Sequence, residues 1–119
     1  MKIDLDFTVK QLNGKDFIEK EQDGVDEKGQ PKFKDLGPFT IRKICTDALI
    51  GLYQDEEKLG AKIKAARGWL AMRIHNHKET TIELTADDIT MLKDLVAKRY
   101  TPLIIAQTWE VLDPASKNS

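Results

Sequence analysis

The first residues of the chain alternate between apolar and polar. In KIDLDFTV every second side chain is apolar, which predicts a strand with one buried face. Asn13-Gly14 follows and predicts a type I′ hairpin turn, with residues 17–20 as the returning strand. Residues 22–31 are polar and contain two glycines, so we expect an exposed loop there. Residues 32–36 predict a short third strand.

From Pro38 onward the apolar residues are spaced three and four apart, which predicts helices. Thr40 is the expected N-cap of the first helix. A second helix is expected over residues 55–76, with a stripe of apolar residues flanked by Trp69 and Met72. The stripe consists of Leu59, Ile63, Ala66, Leu70 and Ile74.

The last third of the chain predicts a short strand and two more helices. Residues 80–84 are β-prone. Thr85 with Asp87 and Asp88 has the composition of a helix N-terminus, and this helix should run to about Arg99. Thr101-Pro102 begins a fourth helix, Leu103 to Leu112, which is apolar nearly all round.

These elements predict one α+β domain over residues 1–119. An N-terminal β-hairpin or small antiparallel sheet (residues 1–37) packs on a bundle of about four helices (residues 38–113). Residues 114–119 form a flexible tail. A chain of 119 residues is long enough to bury one hydrophobic core without disulfides or structural metals.

Composition narrows the classes of function. The net charge of −1 predicts no general attraction to nucleic acid or to anionic membranes. The single cysteine cannot form an internal disulfide, so we expect a reducing compartment such as the cytoplasm. No signal peptide and no membrane-spanning run is recognisable.

The charge is unevenly distributed along the chain. Residues 56–78 hold six Lys or Arg and two Glu, for +4, whereas the regions on either side of this segment carry no positive excess. Four basic side chains of this segment and one aromatic ring could contact phosphates and stack on a base. They are Lys62, Lys64, Arg67, Arg73 and Trp69. The alternative is a solvated helix face.

His75 and His77 are the only histidines. In a helix they point about 200° apart and cannot share a metal, whereas in a strand they would share a face and could bind zinc. Because the helical pattern continues through Ile74, we expect the frayed end of a helix. Cys45 falls on an apolar stripe and should be a core residue. We therefore predict no catalytic residues, no cofactor and no metal.

The remaining signal is the apolar fourth helix. Tyr100 and Trp109 are of the aromatic types that interfaces favour, and Gln107 lies between them. This surface either fills the core or binds a partner.

The order of these signals resembles small proteins of tailed bacteriophages and prophages. The resemblance lies in LNGKDF, in TIRKICTDALIGL and above all in IELTADDITMLKDLVAKRYTPLIIAQTWEVLDP. It implies a non-enzymatic assembly chaperone, virion accessory factor or inhibitor of a host protein, but assigns no residue a role.

The sequence thus predicts a non-catalytic protein–protein interaction module. Its partner is expected to be a phage or bacterial host protein, or a second copy of the chain. The second hypothesis is a nucleic-acid-binding accessory protein that uses the basic helix. The third is a small enzyme centred on the histidines.

Overall fold

The fold is α+β: two small antiparallel sheets and four helices, seen in a computed structural model. The structure describes residues 1–51, 53 and 58–115. The strands are β1 (Lys2–Asp4), β2 (Ile18–Val25), β3 (Pro31–Pro38) and β4 (Thr81–Glu83), and the helices are α1 (Ile41–Ile50), α2 (Ala61–Asn76), α3 (Ala86–Arg99) and α4 (Pro102–Leu112).

The N-terminal alternation is confirmed, but the predicted partner of this strand is wrong. β1 pairs with β4, so that Ile3 lies opposite Ile82 and both are buried. The strand stops early because the Asp4 carboxylate accepts a hydrogen bond from the backbone N–H of Asp6 at 3.0 Å and turns the chain. Leu5 and Val9 nevertheless reach the core.

Asn13-Gly14 does lie in a turn, although not of the predicted type. Gly14 alone takes a positive φ, 83°, and its N–H donates to the carbonyl of Gln11 at 3.0 Å. Asn13 lacks the positive φ that a type I′ turn requires. The N–H of Gln11 donates to the carbonyl of Lys15 at 2.8 Å, so the loop has three residues. The hairpin is short, and Lys10 pairs with Asp16 at its base.

The predicted loop over residues 22–31 is exposed as expected, but half of it is strand. β2 and β3 form an exposed two-stranded ribbon, with Asp26–Gln30 as its tip. The Asp26 carboxylate accepts from the N–H groups of Lys28 and Gln30 at 2.9 Å, and Gly29 supplies a φ of 78°. Because neither face of the ribbon is buried, no apolar alternation marks it in the sequence.

The helix starts follow their capping signals. Thr40 accepts from the N–H of Lys43, and Thr85 forms a reciprocal capping box with Asp88, so the aspartate has a structural role there. α2 starts later than predicted, at Ala61, after a Gly60 N-cap without a side-chain bond. The predicted helical residues 55–57 lie outside the described part of the chain.

The core lies between the β1–β4 sheet and the helices. α1 contributes five buried residues and α3 contributes four. From α2 only Leu70, Ala71 and Ile74 are buried, so the first half of its predicted stripe is not covered: Ile63 is 48 % exposed. None of the helices in the described residues is both long and apolar enough to span a bilayer.

Arg42 of α1 holds several segments together. Its guanidinium donates to the carbonyls of Ile74 at 2.7 Å, His77 at 2.6 Å and Glu79 at 3.0 Å, and lies 3.5 Å from the Asp6 carboxylate. The side chain is only 19 % exposed.

We therefore expect Arg42→Ala to lower the free energy of unfolding by about 3 kcal/mol, because three carbonyls lose a charged donor. Arg42→Lys should recover only part of the loss, since an ammonium cannot reproduce the planar fork. Urea denaturation measures both variants, and wild-type stability in Arg42→Ala would contradict this role.

Candidate interaction surface

The side chains predicted as partner anchors on α4 make specific contacts inside the fold. Gln107 forms a paired interaction with the backbone of Lys10: its Oε1 accepts from the N–H at 2.7 Å and its Nε2 donates to the carbonyl at 2.8 Å. It therefore fastens the N-terminal segment to α4. This pairing crosses 97 positions of sequence and has no local signal.

Trp109 and Tyr100 are half-buried against the core. The Trp109 Nε1 donates to the carbonyl of Lys93 at 3.1 Å, and the Lys93 ammonium lies 4.6 Å from the ring centroid. Tyr100 packs edge-on against Phe39, with 5.9 Å between ring centroids. Burial, with the nearby Asp47 carboxylate, raises the pKa of the Tyr100 phenol to about 12. Partner binding by these three residues stays a prediction, since each already has an intramolecular role.

The basic residues of α2 fall into two groups. Lys62, Trp69 and Arg73 share one exposed strip, because spacings of seven and eleven return to the same helix face. Trp69 is 65 % exposed. Arg73 also donates to the carbonyl of Glu83 at 2.7 Å and so tethers α2 to β4. Lys64 lies on another face, and Arg67 is half-buried with interactions inside the fold.

A shallow apolar groove of about 440 Å³ runs between α1 and α2. We define the α1–α2 groove by its lining residues: Thr46, Ile50, Gly68, Ala71, Met72, His75 and Asn76. Ile50 and Met72 are 62 % and 55 % exposed, whereas Ala71 at its base is 2 % exposed. Trp69 adjoins Met72 three residues along the same helix. The groove is therefore an exposed apolar surface, and Lys64 lies one turn before Gly68 on the same face of α2.

The groove escaped the sequence prediction because it joins two helices. Ile50 was not singled out in the sequence, and Met72 was predicted only to flank the apolar stripe of the second helix. One local signal was available: Gly68 lies in the interior of α2, where glycine costs about 1 kcal/mol relative to alanine. A Cβ at this position would meet nothing within 4 Å, so the fold itself does not require the glycine.

The two histidines have different surroundings. His75 is exposed at the groove, whereas the Nε2 of His77 lies 2.7 Å from the carbonyl of Thr81. Within the described residues, no group of three or more His, Cys, Asp or Glu side chains is arranged to hold a metal ion. Cys45 lies in the core, where burial raises the pKa of its thiol to about 12.

Replacement of Trp109 separates packing from hydrogen bonding. We expect Trp109→Ala to lower the free energy of unfolding by about 2 kcal/mol, because the half-buried ring is lost. Trp109→Phe should cost about 1 kcal/mol, since a smaller aromatic ring remains while the bond to the Lys93 carbonyl and part of the packing are lost. Thermal denaturation of both variants measures this, and unchanged stability in Trp109→Ala would show that the indole does not support the fold.

Comparison with protein-family models, with curated proteins and with solved structures finds no match to this chain. The relationship to phage proteins therefore stays a prediction from the layout of the sequence. The function must be inferred from the surfaces that the fold exposes.

Proposed function

We propose that this protein is a non-catalytic protein–protein interaction domain that binds its partner through the exposed surface of α1 and α2. The supporting observation is the clustering of Ile50, Trp69 and Met72, which are each more than half exposed, around the α1–α2 groove. Large exposed apolar clusters bordered by polar residues are typical of interaction sites.

The surface on α2 supports this function better than the predicted anchors on α4. Trp109 and Gln107 would have to give up contacts with Lys93 and Lys10 to bind a partner. Trp69 and Met72 keep most of their surface in water, and burying it on binding would be favourable. The resemblance to phage proteins adds a context: a virion assembly factor or an inhibitor of a bacterial host protein, acting in the host cytoplasm.

Capture by the tagged full chain, from bacterial or phage-infected lysate, tests this function. A specific protein should be retained after nuclease treatment, and Met72→Asp should reduce its recovery at least tenfold, because a carboxylate would be buried in an apolar contact. Leu12→Asp is the matched control, since Leu12 is 92 % exposed and lies outside the surface. Equal recovery with Met72→Asp and wild type would refute the proposed surface.

A nucleic-acid-binding function is the second candidate, and the strip of Lys62, Trp69 and Arg73 favours it. An aromatic ring between two cations can stack on a base while the cations contact phosphates. The net charge of −1 opposes it.

If the protein binds nucleic acid, its affinity for a single-stranded oligonucleotide should fall at least tenfold between 50 and 200 mM salt. At 50 mM salt, Lys62→Gln should bind more weakly than the wild type, because one phosphate contact is lost. Fluorescence anisotropy of a labelled oligonucleotide measures this. The control is Lys28→Gln at the ribbon tip, which should leave affinity unchanged. Absence of binding at 50 mM salt would eliminate this candidate.

A further inference from the structure

We propose that the α1–α2 groove binds an acidic amphipathic helix of another protein. This inference rests on the proposed function and names the chemistry of the partner. It depends on three properties of the groove: its length, its lining and the charge beside it.

The length of the groove fits a helix. The α2 side extends over the nine residues from Gly68 to Asn76, a length of about 12 Å at a rise of 1.5 Å per residue. Anchors at positions i, i+4 and i+7 of a docking helix span about 10.5 Å. An extended peptide would bring unpaired backbone N–H and C=O groups against the apolar walls, whereas a helix satisfies its own.

The lining permits close approach at Gly68. The position is half-buried, with open space where a side chain would be. Because Gly68 has no side chain, the α2 side of the groove is flat at this position, before Met72. A neighbouring helix gains contact there, although α2 itself would be more stable with alanine.

The charge beside the groove selects an acidic partner. α2 contains four Lys or Arg and no Asp or Glu. Lys64 lies on the same face as Gly68, Ala71 and His75, since these positions are spaced by four, seven and eleven residues. Lys64 stands near the start of α2, where carboxylates rather than cations stabilise a helix, so its charge does not serve α2 itself. A Glu or Asp beside the apolar anchors of the partner would pair with Lys64.

Three synthetic helical peptides test the proposal against the full-length protein. They share the same Leu anchors at i, i+4 and i+7 and differ only at the flanking positions, which carry Glu, Gln or Lys. We expect the Glu peptide to bind about tenfold more tightly than the Lys peptide at 50 mM salt, because a flanking Glu attracts Lys64 whereas a flanking Lys repels it. Anisotropy gives the affinities. Backbone amide chemical shifts should change chiefly at Gly68, Ala71 and Met72.

Two substitutions make the test specific. Lys64→Glu should reduce or reverse the preference for the Glu peptide while leaving binding of the Gln peptide unchanged. Gly68→Ala should raise the Tm and weaken the binding of all three peptides. If Gly68 had only a structural role, the substitution would change the Tm without changing the peptide affinities.

The proposal is overturned if no peptide binds, if the Lys peptide binds as tightly as the Glu peptide, or if the shifts lie outside the groove. Concentration-dependent self-association that disappears in Met72→Asp would assign the groove to a second copy and also overturn it. After any of these results, capture of a protein that Met72→Asp still abolishes would show that the proposed interaction surface stands without an acidic helical ligand. Binding of the Glu peptide at the groove supports the acidic-helix proposal even where no protein is captured from the lysate, and that outcome counts against the proposed function alone.

Discussion

One arginine joins three parts of the fold: the end of α2, the segment that follows it and the N-terminal segment. Arg42 leaves α1 and donates to three carbonyls at and beyond the end of α2, while its own backbone N–H donates to the carbonyl of Leu5 at 2.9 Å. A cation at the C-terminal end of α2 also complements the helix dipole. This contact fixes where α2 ends, and therefore where the chain turns toward β4.

With α2 held at its C-terminal end, its N-terminal half carries little of the core. Leu70 and Ile74 pack inward, but Ile63, about two turns before Leu70, is about half exposed. The apolar residues of this helix thus divide into those that stabilise the domain and those that remain in contact with water. Trp69 and Met72, together with Ile50 at the end of α1, form the surface proposed to bind a partner. The core residues and the proposed binding residues therefore lie on different faces of α2.

α4 has the opposite fate. Its apolar residues and Trp109 look like an interface in isolation, yet the structure uses them to close the domain. Gln107 forms hydrogen bonds with the backbone of Lys10, and the Trp109 indole donates a hydrogen bond to the Lys93 carbonyl of α3. Thr108, the buried polar residue of this helix, shows how closely its inner face approaches the core. Exposure rather than residue type separates the two surfaces.

The sequence by itself determined the local elements. Capping residues fixed the starts of α1 and α3, and alternation fixed which N-terminal residues are buried, because both effects act over a few neighbouring residues. Only the tertiary structure decided that β1 pairs with β4 and that β2 and β3 form an exposed ribbon. It also decided that Ile50 of α1 and Met72 of α2 line one groove. Those outcomes depend on contacts between residues distant in sequence, whose free energies leave no periodic pattern along the chain. The candidate site belongs to this second class: its residues were visible singly, but only packing made them a surface.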